Sequence, residues 1–230
     1  MKKKLRKRNC NIKMEIKPDA GWFDIEFNIE NDSLNFQVSY ALGDSFNKLL
    51  HILYHFYPDN NDPEFEEDVV CYKAIRESMH SDNIIEITEK IPDNIEECLF
   101  YDIPYKAELY WDEEGSYSKW IFEREPTLDT DFMIKIDIFI CRGSEKYYSY
   151  KVRYKDLCYA VAKGCTEAVK SYGIYGYHKR VYEEDMNLRY LLFFKSVALD
   201  NFEARELNYD KKNAPYSSLE KELELLMFDM

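Results

Sequence analysis

His51 and His55 stand four residues apart, and positions i and i+4 project from one face of a helix, a spacing that suits a shared metal ion. A zinc protease of the His-Glu-x-x-His type needs glutamate directly after the first histidine, and Ile52 stands there. The helical wheel puts both histidines opposite a Phe46, Leu50, Leu53 stripe and beside Lys48, so the sequence predicts surface histidines, with no metal or other cofactor expected. Carboxylates form a second set. Asp24, Glu26, Glu108 and Asp137 lie in strand-like segments and would serve a hydrolase or transferase if they converged in a pocket. Each alternates with apolar neighbours, the pattern of charges on the solvated face of a half-buried strand. The third set is aromatic: Tyr110, Trp111, Tyr117 and Trp120 flank the acidic turn Asp112-Glu113-Glu114-Gly115. Aromatic anchors rimmed by carboxylates suit recognition of a basic protein. Trp111, Asp112, Glu113, Glu114, Tyr117 and Trp120 are therefore the candidate partner-binding residues, and no catalytic residue is assigned. The same aromatics suit an ordinary sheet core, as do Tyr148, Tyr150 and Tyr154, which share a face with Val152.

Other motifs fail on inspection. Gly43-Asp44-Ser45 is similar to the start of the nucleophile block of the lipase-like family named for Gly-Asp-Ser-Leu. The fourth residue here is Phe46, and the position three before His178 is Tyr175 rather than the aspartate such a family needs. A helix cap accounts for Asp44 and Ser45 equally well. The acidic run from Asp59 has Pro63 and Glu64 where a calcium loop needs an oxygen donor and a glycine. Neither GxxxxGK[ST] nor GxGxxG occurs, which excludes the known nucleotide-binding loops.

These residues sit in a chain of 230 with 46% hydrophobic and 16% aromatic content, long and apolar enough for a sizeable core and far from a disordered composition. The net charge of −13 is unevenly spread. Residues 1–13 hold seven bases and no acid, so subtracting +7 leaves −20 for the rest. A body that acidic repels nucleic-acid phosphates and is steered toward basic partners; nucleic acid is expected only through the basic tail. No stretch is apolar enough to span a membrane, and no apolar segment follows the basic start, so no secretory signal is read. Six cysteines, with no CxxC, fit reduced thiols in a cytoplasm. Cys158 and Cys165 are about 10 Å apart along a helix and do not bridge.

The elements that must position these groups follow from periodicity. Four consecutive strands are predicted between Tyr105 and Tyr154: YKAELYW, YSKWIFER, FMIKIDIFI and YYSYKVRY. In the third, Phe132, Ile134, Ile136, Ile138 and Ile140 face one way, and Met133, Lys135, Asp137 and Phe139 the other. Ile134, Ile136 and Ile138 are predicted core. Trp22 to Leu42 reads as a hairpin turning at Asn31-Asp32. Helices are predicted over 44–57, from Asp62-Pro63 to about Met79, over 156–172 with Asp156 as cap and Gly173 as stop, and over 187–199. Asn83–Thr88 reads as a short strand, Gly173–His178 as a glycine-broken loop, and a terminal helix starts at a Ser217–Glu220 capping box. The expected architecture is α+β: a mainly antiparallel sheet, hairpin plus four-stranded meander, with three to five helices on one face. Residues 1–13 form a basic disordered tail, and residues 14–230 a single domain with a C-terminal helical extension from about 200 to 230.

The WFDIEF hairpin, the capped GDSFNKLL helix and the W-DEEGSYSKW hairpin with its strand-then-helix ending resemble acidic immunity-type proteins of bacterial polymorphic toxin systems, over about residues 20–200. The resemblance implies a cytoplasmic, non-enzymatic protein that neutralises a basic, nuclease-like toxin by charge and shape. The alternative is a hydrolase or transferase with a carboxylate site in a pocket at the sheet rim.

Overall fold

The structure, a computed structural model, describes residues 11–19, 22–39, 45–58, 106–112, 117–125, 127, 129–180, 186–206, 208–209 and 215–230. The helix expected from Asp62, the strand Asn83–Thr88, the calcium-like run and the basic residues before Asn11 lie outside the described residues. Alternating side chains build two antiparallel sheets. β1 (Ile12–Asp19), β2 (Trp22–Ile29) and β3 (Asp32–Ser39) form one, in that order; β4 (Lys106–Asp112), β5 (Tyr117–Arg124), β6 (Met133–Cys141) and β7 (Glu145–Arg153) form the other. The α+β class and the four-stranded meander are as the periodicity predicts. Hairpin and meander, however, belong to two sheets that share one core rather than to one continuous sheet. Inward-facing residues make that core: Phe27 and Phe36 of the first sheet meet Trp120 of the second at 5.2 and 5.0 Å between ring centroids, and Phe36 meets Trp111 at 5.3 Å. Ile134, Ile136 and Ile138 are fully buried among them. Tyr150 ties the sheets at one end, donating from its hydroxyl to Asp32 at 2.7 Å.

β1 is an element the sequence reading missed. Ile12 and Lys13, assigned above to the tail, pair with Ile29 and Asn28, so the ordered chain begins before residue 14. Ile12, Met14 and Ile16 face the core. Helix α1 (Ser45–His55) buries Phe46, Leu49, Leu50 and Leu53. Helix α2 (Tyr154–Tyr172) buries a broad face from Tyr154 to Ala168 and leaves Glu167, Lys170 and Ser171 exposed, an amphipathic helix laid on the core. It lies along β1 so closely that a Cβ on Gly164 would fall 2.6 Å from the Met14 carbonyl oxygen, which is why this helix face must be small-sided. The N-cap of α2 is Arg153 with no side-chain cap bond; Asp156, expected as the cap, sits one turn further in, where its charge still complements the helix dipole. Gly173 ends α2 with φ +68°, and the segment read as a loop is a short helix, α3 (Ile174–Arg180).

Helix α4 (Leu188–Leu199) packs on α2 and α1; its cap is Asn187, which accepts from the Tyr190 N–H at 3.3 Å. A 3-10 turn (Glu203–Arg205) and a two-stranded ribbon, β8 (Asn208–Tyr209) with β9 (Pro215–Tyr216), lead to α5 (Leu219–Met227). The α5 cap is Ser218, one residue beyond the box the sequence suggested. Among the described residues no helix is long and apolar enough to cross a membrane.

Candidate interaction face

The meander has two faces of different character. Its inner face carries Leu109, Trp111, Trp120, Phe122 and the β6 isoleucines into the core. Its outer face is laid out by register. Tyr110, Lys119, Phe139 and Tyr147 form one cross-strand row. Glu108, Ile121, Asp137 and Ser149 form the next. Tyr110, Tyr117, Phe139 and Tyr147 are between 39% and 56% exposed, and the Phe139 and Tyr147 rings lie 4.8 Å apart. Cross-strand neighbours at this spacing support each other, so Phe139 and Tyr147 form one pair, with Tyr110 in the same row beyond Lys119 and Tyr117 on the same face opposite Asp112 and Cys141.

The charges of this face are largely spent on one another. Lys119 pairs with Glu108 at 2.9 Å and lies 5.2 Å from the Tyr110 ring centre. Burial lowers the Lys119 pKa, but the Tyr110 and Glu108 contacts outweigh it and raise it overall. Asp137 accepts from Lys135 at 2.7 Å, Tyr147 at 3.0 Å and Ser149 at 2.6 Å. Burial pushes the Asp137 carboxyl up, yet these three donors hold it below the ordinary carboxylate value. Lys151 pairs with Glu125 at 2.7 Å. Desolvating an already paired face costs less than desolvating free charges, which suits an aromatic-centred interface.

The candidates read from the sequence divide accordingly. Trp111 and Trp120 are 0% and 1% exposed. Their reading as exposed anchors is corrected: both point inward and join the sheets. Tyr117 is on the outer surface. Asp112 closes β4, and its side chain, like Glu113 and Glu114, lies outside the described residues. Tyr150 and Tyr154 are core; Tyr154 donates to the Leu53 carbonyl. Phe139 and Tyr147 were not singled out, although β6 alternation already sent Phe139 outward with Lys135 and Asp137.

The other chemistry-bearing sets do not assemble a site. Asp24 and Glu26 lie on the three-stranded sheet, Glu108 and Asp137 on the four-stranded one, so the four carboxylates do not converge. A shallow, open depression of about 420 Å³ gathers Lys17, Asp24, Glu26, Asn35, Gln37 and Arg142. Its groups bond in place: Gln37 donates to Asp24 at 3.2 Å, Asn28 to Glu26 at 2.9 Å, and Arg142 to the Asn35 carbonyl at 2.6 Å. The histidines are not on the surface as the wheel suggested. His55 is 2% exposed, His51 Nδ1 is 2.7 Å from the Tyr190 hydroxyl, and the two rings are 4.3 Å apart. Helix α4 covers the flank of α1 that one wheel, knowing a single packing partner, assigns to solvent. Among the described residues no three His, Cys, Asp or Glu side chains are placed to hold a metal. Gly43 and Asp44 lie outside the described residues. Burial pushes the Cys165 thiol up to about 12 and raises that of Cys158 further, so neither has the character of a nucleophile. Arg124 is a buried fastener: it donates to the Phe56 carbonyl at 2.6 Å and lies 4.4 Å from the Phe132 ring centre. No protein-family model, curated protein or solved structure matches this chain.

Proposed function

We propose that this chain is a non-enzymatic, cytoplasmic protein-binding module whose recognition surface is the outer face of the β4–β7 sheet. The observation that supports this is the aromatic patch of Tyr110, Tyr117, Phe139 and Tyr147. Folding gains little from large aromatics left facing water, whereas aromatics at that position are what interface centres are built from. The excess of −20 outside the N-terminal segment steers the encounter toward a basic partner. The likeness to immunity-type proteins makes a basic toxin the natural candidate. The failure of the four carboxylates to converge favours binding over the hydrolase or transferase alternative.

The test uses the full chain and the double variant Phe139→Ala/Tyr147→Ala, each tagged and expressed in the source cell. The expected result is a basic protein captured by the wild type and reduced at least ~10-fold with the variant, matching the loss of two interface anchors, while circular dichroism stays unchanged. Adding the wild-type chain should also inhibit the captured protein's activity. Capture that is indifferent to the double variant, or absent, removes the proposal.

A further inference from the structure

The outward face of α5 carries a second surface, independent of the sheet face. Leu219, Leu223 and Met227 recur every four residues and are 65%, 49% and 77% exposed, a continuous apolar stripe. The exposed residues Glu220 and Glu224 border it. The one base in the helix, Lys221, is turned the other way, 3.7 Å from Glu203 and 3.5 Å from Glu206. The outward face is therefore apolar and wholly acidic.

The helix is also held firmly. Leu225 is fully buried beneath it. At its start Ser218 accepts from the Lys221 N–H at 3.4 Å. At its end the buried Lys195 of α4 donates to the carbonyls of Leu226 at 2.7 Å and Phe228 at 2.8 Å. Lys170 of α2 pairs with Asp229 at 2.8 Å. A stripe fixed in this way loses little conformational freedom when it is covered.

We infer that the Leu219–Leu223–Met227 face of α5 docks an amphipathic helix of a partner protein whose apolar stripe is bordered by lysine or arginine. Charge decides between occupants. A second copy packed stripe to stripe would set Glu220 and Glu224 against the same carboxylates, with no base of α5 on either outward face to offset them among the described residues. A basic helix would meet both carboxylates with opposite charge, and the i, i+4, i+8 spacing of the apolar anchors matches helix against helix. An anionic lipid surface would be repelled by the same carboxylates.

The test uses the full chain and a Leu/Lys amphipathic peptide of about 18 residues, long enough to hold helical structure, beside a Leu/Glu peptide of the same pattern. Binding is read by fluorescence anisotropy, and the covered surface by amide exchange. The wild type should bind Leu/Lys in preference to Leu/Glu, with protection over residues 219–227. Leu223→Asn changes no charge and should weaken Leu/Lys binding ~10-fold, as expected for a central anchor. Glu220→Lys/Glu224→Lys should reverse the peptide preference. Unchanged affinity in Leu223→Asn, or protection elsewhere on the acidic surface, would overturn the inference. So would self-association abolished by Leu223→Asn, or binding to phosphatidylcholine/phosphatidylserine vesicles that depends on Leu223.

Discussion

The two sheets are alike inside and unlike outside. β1–β3 and β4–β7 both turn a mainly aliphatic and aromatic face into one core, interrupted on β5 by the buried Ser118 and Arg124. On the outer face of β1–β3 the alternation delivers Lys13, Glu15, Lys17, Asp24, Glu26, Asn28, Asn35 and Gln37, polar apart from the half-buried Trp22 at the end paired with Asp19 and Ser39. On the outer face of β4–β7 the same alternation delivers Tyr110, Tyr117, Ile121, Phe139 and Tyr147 among self-paired charges. One sheet thus shows what a solvated face requires. The other departs from it by leaving large aromatics exposed, which is the observation that the proposed binding role rests on.

Substitutions can break or sharpen this contrast. The largest effect is expected inside: Trp120→Ala should cost about 3–5 kcal/mol in urea unfolding, the range for a large aromatic lost from a core. A smaller loss would mean that the sheets meet less tightly than the ring distances imply. Asp137→Asn comes next, at about 1–2 kcal/mol at pH 7, since charge-assisted bonds from Lys135, Tyr147 and Ser149 are weakened by partial exposure. A carboxyl held below its ordinary value stabilises the fold above the unfolded-chain pKa, and that contribution fades as pH falls through the lowered folded-state value. The gap between wild type and Asp137→Asn should therefore close below about pH 4, the ordinary aspartate value. Smaller again, Phe139→Ala/Tyr147→Ala should cost about 1 kcal/mol, for the cross-strand pair and the Tyr147 hydroxyl's bond to Asp137. Gln37→Ala on the polar face should stay within ~0.5 kcal/mol. Loss of binding with only that small loss of stability in the former, and neither in the latter, would make the outer faces functionally distinct.

Much of this was legible in the residues, for a physical reason. A two-residue period is local, so β6 could be read from FMIKIDIFI alone and its isoleucines placed in the core. The same phase places Trp111 with Leu109 and Trp120 with Phe122; following it strictly would have sent both tryptophans inward. β1 was obscured because Ile12, Met14 and Ile16 alternate with Lys13, Glu15 and Lys17 directly after a basic run, and because Pro18 argues against a strand. Pro is tolerated at an edge strand such as β1. Which faces are covered is a long-range property. His51 meets Tyr190 of α4, 139 residues further along the chain, and nothing within four residues of it records that. The patch at Phe139 and Tyr147 needed the β6–β7 register before its members became neighbours.

The close fit at Gly164 bears on the order in which the molecule is built. The strand it rests against, β1, is made early, while the glycine follows Met14 by 150 residues. At ordinary synthesis rates that interval is on the order of ten to thirty seconds. Until α2 arrives, the outer edge of β1 offers unpaired backbone groups to any passing strand. The first sheet is thus assembled early but closed late, and a contact of such long sequence separation slows folding. A bulkier residue at position 164 would therefore prolong an open-edged, aggregation-prone intermediate as well as weaken the native state, and its signature would be a lower soluble yield during synthesis.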